Sequence, residues 1–359
     1  MKIGIDISQI AYPGSGVSRF ITGVVEAICK YDTTNEWHFV FSALRSQLPH
    51  DTHKLITAKG AKLHRLPIPP TLLSKMWNDV HVLDVQKITG KLDWFVTSDW
   101  TEPPASCKKA TIIHDLAYLR YPETVAPQIL KAQRSRMAHV KAESQTIFAD
   151  SNSTKDDIVE LLGIPASKVV VNYPGLKSRT EPSRDDYTMP SDRPFILTVG
   201  KREPRKNIEK LIEAYEHVKP AGVDLVIAGD RGWGTTAKLK GNSNTIHFLG
   251  YVSDDELCWL YTKCLSFIYP SIWEGFGYPV VEAMSYGAPV ATSKTSSLGE
   301  IAEGAALLFN PKERVEIEGV IRKLTSDKQL RLSLSEKGKK RAAQFTWRRY
   351  YEIMMEGLA

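Results

Sequence analysis

The sequence predicts an α/β protein of two domains, each built around a parallel β-sheet that is covered by helices. The chain has 359 residues, more than a single hydrophobic core of ordinary size holds. Strand-like and helix-like patterns alternate along it, which is typical of parallel sheets. The alternation breaks off in a polar, proline-containing segment at residues 178–194 and then starts again, which indicates a linker between two domains.

The first half begins with a β-branched strand at residues 3–7. A loop containing Gly14 and Gly16 follows, and apolar residues then recur at helical spacing. Ser153 and Thr154 suit the start of a later helix as capping residues. The same patterns predict further strands at residues 37–41, 94–97, 110–113 and 146–149, and helices at residues 127–143 and 153–162.

The second half repeats this organisation. Two successive runs of alternating strands and helices imply two parallel sheets, each covered by helices. The predicted elements are strands at residues 195–199, 224–228, 245–248, 265–269 and 289–291, and a helix at residues 207–218.

The composition is that of a soluble globular protein, with 42% hydrophobic and 25% charged residues. No stretch approaches the ~18 uninterrupted apolar residues that a membrane helix needs. Asp6 stands where a signal peptide requires apolar residues, so we expect a cytoplasmic protein. The four cysteines have neither the spacing of a zinc site nor that of a disulfide framework.

The net charge of +6 is moderate, and basic residues concentrate at residues 131–141 and 337–349. Such runs are typical of solvated helix faces, and they also suit peripheral contact with the anionic inner face of a plasma membrane. No nucleic-acid recognition motif accompanies the charge, so we expect no nucleic-acid partner.

The loop around Gly14 and Gly16 begins like a dinucleotide-binding fingerprint, but Arg19 replaces the third glycine. Residues 42–45 also offer no acid to hold the ribose of NAD, which argues against a dehydrogenase. Two interpretations remain. The small residues form a tight turn only, or Gly16 lets backbone N–H groups at a helix start approach an anion or a sugar.

The densest signal lies at residues 270–284. A strand ends, glycines form a turn, and Pro279 suits the first turn of a helix. Glu274 in the loop and Glu282 in the first helical turn then face one crevice at the carboxyl edge of the sheet. Paired carboxylate oxygens suit the hydroxyls of a sugar or ribose, and the backbone amides of Gly275, Phe276 and Gly277 suit a phosphate.

A purely structural interpretation of this segment is also available. Ser271 and Glu274 have the spacing of a capping box, and Glu282 would favour the helix dipole without any ligand. The two glutamates could also be read as the acid pair of a glycosidase.

Residues 270–284 closely resemble the signature of the retaining, family-4-type glycosyltransferases of the GT-B fold, in which two glutamates flank a Gly-Phe-Gly turn. The resemblance implies two Rossmann-like parallel-sheet domains that face a central cleft, at residues 1–185 and 186–340, and a closing helix at residues 341–359 that crosses back to the first domain. Further blocks match the same family in the same order, at residues 113–116, 150–154, 172–175, 198–207, 227–233, 248–252, 296–300 and 345–351.

This resemblance assigns roles to residues of the second half. Lys206 and Lys201 would hold the donor diphosphate, although many relatives carry arginine at the second position and lysine lacks its bidentate fork. Glu282 would bind the nucleotide ribose, and Glu274 the hydroxyls of the donor sugar. The backbone around Gly250, Tyr251 and Val252 would line the base.

In the first half, the resemblance assigns His114 to the donor sugar, as a catalytic residue together with Glu274 and Lys206. The mechanism implied is retaining, and the leaving diphosphate accepts the proton of the acceptor hydroxyl. Fixed cations and helix-start amides would stabilise the departing charge. No Asp-x-Asp motif occurs in the chain, so we expect a metal-independent enzyme without a cofactor.

Residues 113–123 and 228–233 look most like bacterial mannosyltransferases of surface-polysaccharide and O-antigen assembly. The resemblance thus implies GDP-mannose as donor and a saccharide or lipid-linked saccharide as acceptor. The alternatives are a UDP-sugar donor, a different enzyme on the same fold such as an epimerase or a phosphorylase, and a scaffold protein that has lost turnover.

Overall fold

The computed structural model describes residues 1–12, 14–177, 189–230 and 244–359, and the chain divides into two compact domains. The first domain comprises Met1–Lys177 together with Thr346–Ala359, and the second comprises Ser178–Phe345. The predicted boundary at residue 185 lies outside the described residues, as do most of the predicted linker and residues 231–233 of one family-like block.

In its described residues, the first domain contains a seven-stranded parallel sheet of order β3-β2-β1-β4-β5-β6-β7. Ile3 of the central strand pairs with Trp37 on one side and with Trp94 on the other. The strands are β1 (Lys2–Asp6), β2 (Glu36–Ser42), β3 (Lys62–Leu66), β4 (Trp94–Ser98), β5 (Lys108–Ile113), β6 (Ser144–Ala149) and β7 (Val169–Val171).

The second domain has, in its described part, a six-stranded parallel sheet of order β10-β9-β8-β11-β12-β13. Ile196 of β8 pairs with Leu225 of β9 and with Ser266 of β11, so β8 lies at the centre. The strands are β8 (Phe195–Val199), β9 (Asp224–Ala228), β10 (Ile246–Gly250), β11 (Ser266–Tyr269), β12 (Val290–Ser293) and β13 (Leu307–Phe309).

Helices connect the strands and bury one apolar face each. On α1 the residues at helical spacing, among them Phe20, Val24 and Ile28, are fully buried, as the sequence pattern predicts. No described helix has the length and apolar character needed to span a bilayer.

The helices of the first domain are α1 (Gly16–Tyr31), α2 (His50–Ala58), α3 (Pro70–Ser74), α4 (Gln86–Thr89), α5 (Ala117–Arg120), α6 (Pro127–Glu143), α7 (Asn152–Leu162) and α14 (Trp347–Gly357). Those of the second are α8 (Ile208–Val218), α9 (Asp254–Lys263), α10 (Tyr278–Tyr286), α11 (Ser296–Ile301), α12 (Arg314–Ser326) and α13 (Lys328–Ala342). Short 3₁₀ turns occupy Ser8–Ala11, Pro122–Thr124, Ala166–Lys168 and Pro204–Lys206, and one π-helical turn occupies Lys75–Asp79.

Each sheet has a point where the strand order reverses, between β1 and β4 in the first domain and between β8 and β11 in the second. Helices leave opposite faces of the sheet there, which opens a crevice at the carboxyl ends of the strands. The residues that follow these strands therefore mark the candidate site of each domain.

Two local predictions about helix starts are wrong. Helix α7 begins at Asn152, and its cap is Ser151, whose side chain accepts a hydrogen bond from the backbone N–H of Thr154 at 3.0 Å. Ser271 and Glu274 do not form a capping box, because α10 begins only at Tyr278 behind Gly277. Glu282 consequently lies beyond the first turn of α10.

Helix α14 completes the core of the first domain, although the chain has by then passed through the whole second domain. Trp347 and Tyr350 pack edge-to-face against Phe20 of α1, with ring centroids 5.7 and 5.5 Å away. Asn172 donates a side-chain hydrogen bond to the backbone carbonyl of Tyr350 at 3.0 Å.

Gly23→Ala is expected to destabilise the first domain by about 1–3 kcal/mol, because overpacking a close contact has that cost. An added Cβ would lie 2.1 Å from the ring of Trp347. Gly319→Ala on α12 is the matched control, since nothing lies within 4 Å of its Cβ position. There alanine should stabilise by up to ~1 kcal/mol through helix propensity. Scanning calorimetry measures the thermal unfolding of both variants. An unfolding temperature of Gly23→Ala equal to that of the parent contradicts the packing argument.

Candidate active site

Glu274 is the centre of a buried polar cluster that follows β11 at the reversal point of the second sheet. Its Oε1 lies 2.7 Å from Lys206 Nζ and accepts hydrogen bonds from Tyr269 at 2.9 Å and Ser271 at 2.6 Å. Its Oε2 lies 3.0 Å from the guanidinium of Arg205. Lys206 also donates to the Tyr269 hydroxyl at 2.8 Å. The two predicted catalytic residues of this domain, Glu274 and Lys206, are thus in direct contact.

The cluster holds Glu274 ionised. Burial alone would raise the pKa of this carboxyl, but Arg205 and Lys206 together hold the pKa of Glu274 well below its usual range. Burial and the adjacent carboxylate raise the pKa of Tyr269, so its hydroxyl stays neutral and donates. Two cations and one carboxylate leave one net positive charge among Arg205, Lys206 and Glu274, which suits an anionic ligand.

The loop at residues 274–277 is fixed from behind by two serines at the start of α11. The backbone N–H of Glu274 donates to Ser296 Oγ at 3.0 Å. Ser297 Oγ donates to the carbonyls of Glu274 and Phe276 at 2.8 and 2.9 Å. The loop carbonyls are therefore held on the side of α11.

Phe276 and Gly277 have different parts in this loop. The ring of Phe276 is buried and packs edge-to-face on Phe345 at 5.4 Å, so its side chain is a packing element and only its backbone is available to a ligand. Gly277 has φ +100°, and a Cβ there would lie 2.5 Å from Leu298. Only glycine allows this approach at the start of α10.

Glu282 lies half-buried on α10, where Tyr261 of α9 donates to its Oε2 at 3.3 Å. It is thus on the helix that leaves the candidate site, and α9 orients its carboxylate.

Glycines end three adjacent strands at the same edge. Gly200 follows β8 with φ +145°, Gly229 follows β9 with φ +136°, and Gly250 ends β10 with φ +71°. A Cβ on Gly229 would lie 2.3 Å from the carbonyl oxygen of Gly200, so this close approach of the two backbones requires glycine at position 229.

The remaining predicted donor residues of this domain lie around those glycines. The side chain of Lys201 is exposed, and it directly follows Gly200. Tyr251 is 70% exposed and Val252 is half-buried in the loop after β10. The structure places them at the carboxyl edge, but it does not bring them into the Glu274 cluster.

His114 follows β5 at the carboxyl edge of the first sheet. Its Nδ1 lies 2.8 Å from Asp150 Oδ2, and its Nε2 lies 3.1 Å from Ser98 Oγ. The ring packs edge-to-face on Phe20 with centroids 4.5 Å apart. Ser98 ends β4 and Asp150 directly follows β6, the two strands on either side of β5, so neighbouring strands bring polar side chains to one imidazole.

The charge around His114 favours its protonated form. Burial alone would lower the pKa of the imidazole, but Asp150, with smaller contributions from Asp99 and Asp115, raises the pKa of His114 above its ordinary value. The pair therefore stabilises the fold fully below the ordinary imidazole pKa, and this contribution is lost as the pH rises through the raised pKa.

Gly16 starts α1, and Ser15 caps that helix by accepting from the backbone N–H of Ser18 at 3.2 Å. Gly16 is exposed, and nothing lies within 4 Å of its Cβ position. Within the first domain it precedes by one helical turn the Phe20 ring that contacts His114.

Sequence reasoning missed several residues of these clusters, among them Arg205 and Asp150. Arg205 stands in the same family-like block as Lys206, and nothing in the sequence shows that it reaches Glu274. Asp150 could have been predicted from the sequence. It directly follows β6, just as His114 directly follows β5, and adjacent parallel strands end at the same edge of a sheet.

The two Rossmann-like domains are similar to known proteins in sequence and in fold. Residues 179–341 match the family described as Glycosyl transferases group 1. The O-antigen chain mannosyltransferase B of Escherichia coli is 28% identical over 255 residues, which are 67% of each chain. The serotype-specific mannosyltransferase WbdA of Escherichia coli is 28% identical over 280 residues, and the match covers 70% of this chain and 33% of WbdA.

Solved structures show the same fold over nearly the whole chain. Sucrose-phosphate synthase from Thermosynechococcus elongatus superposes with a TM-score of 0.73 at 16% identity, covering 99% of this chain and 98% of the other. Anabaena Alr3699/HepE in complex with UDP-glucose superposes with a TM-score of 0.70 at 18% identity, covering 99% of each chain. The fold is that of the GT-B glycosyltransferases, and the matched region and the named relatives support a glycosyltransferase. The family match covers residues 179–341, somewhat less than half of the chain, which is similar there to group 1 glycosyltransferase domains.

Proposed function

We propose that this chain is a retaining hexosyltransferase that moves mannose from GDP-mannose to a saccharide or lipid-linked saccharide. The observation that carries the proposal is the Glu274 cluster with its net positive charge at the reversal point of the second sheet. The choice of sugar rests on the relatives that are named O-antigen mannosyltransferases.

The cations of the cluster suit the leaving group. Cleavage of the sugar–phosphate bond transfers negative charge to the nucleoside diphosphate, and fixed positive charge stabilises that change. Lys206 lies in the cluster, and Lys201 follows the adjacent strand with an exposed side chain. Backbone N–H groups of Gly275, Phe276 and Gly277 at the start of α10 add the positive end of a helix.

Glu274 suits the hydroxyls of the donor sugar. Among the described contacts, its Oε1 already accepts from Lys206, Tyr269 and Ser271, whereas its Oε2 faces Arg205. A carboxylate oxygen offers two lone pairs, so Oε2 is the oxygen with capacity for a sugar hydroxyl.

The proposed reaction needs no separate carboxylate base. The bond between the anomeric carbon and the diphosphate oxygen breaks, and the acceptor oxygen forms its bond on the same face of the sugar. The acceptor hydroxyl proton passes to the departing diphosphate oxygen. We assign His114 to the donor sugar on the family resemblance, and its raised pKa favours the protonated form, which donates a hydrogen bond through Nε2.

Glu282→Ala is expected to weaken GDP binding about tenfold or more, because the ribose hydroxyls lose a charged acceptor. Isothermal titration with GDP measures the effect. Tyr261→Phe removes only the tyrosine hydrogen bond to Glu282 and should bind GDP nearly as the parent does. Equal GDP affinity of Glu282→Ala and the parent would remove Glu282 from the ribose role.

The basic helix α13 supports a peripheral contact with an anionic membrane, which would suit a lipid-linked acceptor. Lys337, Lys339 and Lys340 are exposed along it. Sedimentation with anionic vesicles tests the contact, and equal recovery with neutral vesicles argues against it.

The deciding experiment is nucleotide release from GDP-mannose, UDP-glucose and ADP-glucose, with and without simple mannoside acceptors, in EDTA. Release of GDP alone supports the proposed donor and a metal-independent reaction. Release of UDP alone replaces GDP-mannose by a UDP-sugar. No release, together with no thermal protection by any of the three nucleotides, contradicts the proposed donor site.

A further inference from the structure

A cluster of two histidines and a glutamate lies in the first domain, apart from the residues discussed so far. His81 follows the π-helical turn Lys75–Asp79, and His139 and Glu143 stand one turn apart on α6. One potential ligand atom from each of the three lies within 4.8 Å of the others. Glu143 directly precedes β6, so the cluster is at the amino edge of the sheet, whereas His114 follows β5 at the carboxyl edge. The length of β5, on the order of 15–20 Å, separates the two edges.

Backbone carbonyls fix which nitrogen of each histidine carries a hydrogen. His81 Nδ1 lies 2.8 Å from the carbonyl oxygen of Trp77, and His139 Nε2 lies 2.8 Å from that of Asn78. A carbonyl only accepts, so these two nitrogens are the donors. The other nitrogens, His81 Nε2 and His139 Nδ1, lie 2.7 and 3.7 Å from Glu143 Oε1.

This arrangement suits a cation. A neutral imidazole with its hydrogen on the carbonyl side presents a lone pair to Glu143 Oε1, and a lone pair facing a carboxylate oxygen at 2.7 Å is repulsive unless a cation lies between them. A metal ion bound by the imidazoles and the carboxylate supplies that cation.

We propose that His81 Nε2, His139 Nδ1 and one oxygen of Glu143 bind a divalent transition-metal ion of the zinc class. Two imidazoles and a carboxylate are a common ligand set for Zn²⁺, and a water would complete a tetrahedron. Ligand atoms of a tetrahedral zinc site lie about 3.4 Å apart. The distances of 2.7 and 3.7 Å from Glu143 Oε1 bracket that value.

The surroundings of the cluster resemble those of known metal sites in a second respect. Metal-bound histidines commonly donate their other N–H to a backbone carbonyl, and both histidines do so here. Glu143 is also held in place, by a lysine. Its Oε2 lies 2.7 Å from the buried Lys109 Nζ, which leaves Oε1 turned towards the imidazoles.

Binding requires one change of geometry. The two rings are stacked 3.6 Å apart and are parallel within 4°. Nitrogen lone pairs lie in the ring planes, so a shared ion requires one ring to turn out of the stack. The side chains are 21–30% exposed, which leaves room for this movement and for entry of the ion. A bound ion would tie the segment around His81 to α6, a structural role that is independent of sugar transfer.

The test is calorimetric titration with Zn²⁺, combined with metal analysis after gel filtration. We expect one Zn²⁺ per chain in the parent protein and at least tenfold weaker binding by His81→Gln and by His139→Gln. His53→Gln, which changes an exposed histidine on α2, is the matched control and should bind as the parent does. When Co²⁺ replaces Zn²⁺ as a probe, we expect the intense visible absorption of a tetrahedral site. This absorption should appear only in the parent protein and in the His53→Gln control.

Absence of stoichiometric Zn²⁺ binding by the parent protein overturns the proposal. Binding that is equal in the parent and both glutamine variants also overturns it, because the ion would then lie elsewhere. Circular dichroism without metal shows whether each variant folds, and if one does not, the other decides. None of these readouts depends on glycosyl transfer, so they stand whether or not the donor assignment holds.

Discussion

Glu274→Gln is expected to lower kcat/KM by about 10³-fold while GDP binding is retained or tightened. Glutamine has nearly the same shape but no negative charge. Its carbonyl oxygen can keep the Oε1 contacts with Lys206, Tyr269 and Ser271, but its amide nitrogen then takes the place of Oε2 and cannot accept from a sugar hydroxyl. The sugar hydroxyl loses its acceptor, so transfer slows. Arg205 and Lys206 then leave two positive charges rather than one, so the site still attracts a diphosphate.

Measuring kcat/KM and GDP binding together distinguishes a role of Glu274 in the reaction from a purely structural role. Simple loss of structure would weaken GDP binding and lower the transition temperature together with activity. Glu352→Gln is a control, since Glu352 forms an exposed pair with Arg348 and should change neither quantity. Glu274→Gln with unimpaired turnover would exclude Glu274 from the reaction.

His114→Ala is expected to reduce kcat about 100-fold or more and to leave GDP affinity unchanged, because the residues that we propose to bind the nucleotide lie in the other domain. Asp150→Asn should act through His114. Asp150 is the main cause that raises the pKa of this imidazole, so its loss lowers that pKa. If protonated His114 is the active form, the alkaline limb of the kcat–pH profile shifts to lower pH in Asp150→Asn.

The second domain offers a matched control for that shift. Asp224 holds His247 at the same distance of 2.8 Å, but it lies at the start of β9, away from the carboxyl edge. Asp224→Asn should therefore leave the profile in place, even if it destabilises the fold. A profile that is unchanged in Asp150→Asn, or shifted equally in both variants, contradicts the positioning role of Asp150.

The central strands and the long amphipathic helices could be predicted from the sequence. The strands Phe195–Val199 and Asp224–Ala228 and the helix Pro127–Glu143 have the predicted bounds, because their residues are continuously apolar or have a clear start signal. Strands β3, β7 and β13 were not predicted. They lie at sheet edges, and the first, Lys-Leu-His-Arg-Leu, is largely polar since one side faces no neighbouring strand.

The candidate site was predictable as a set of residues but not as a set of contacts. The glutamates and lysines at strand ends stand out in the sequence, and the contact between Glu274 and Lys206 is a consequence of the strand order. The partners Arg205 and Asp150 depend on which strands are neighbours in the sheet. That order comes from long-range packing, which no local pattern encodes.

The return of α14 to the first domain has a consequence for synthesis on the ribosome. The apolar face of α1 around Phe20 is made early, but Trp347, Tyr350 and Met354, which cover it, are translated only after all of the second domain. Synthesis of the second domain (Ser178–Phe345) at about 5–20 residues per second alone delays α14 by on the order of 10–30 s. The second domain is continuous in sequence and can fold during that interval. The core of the first domain stays incomplete until α14 is made, and the apolar face of α1 stays uncovered. This makes the first domain the part of the nascent chain most exposed to chaperones and to aggregation.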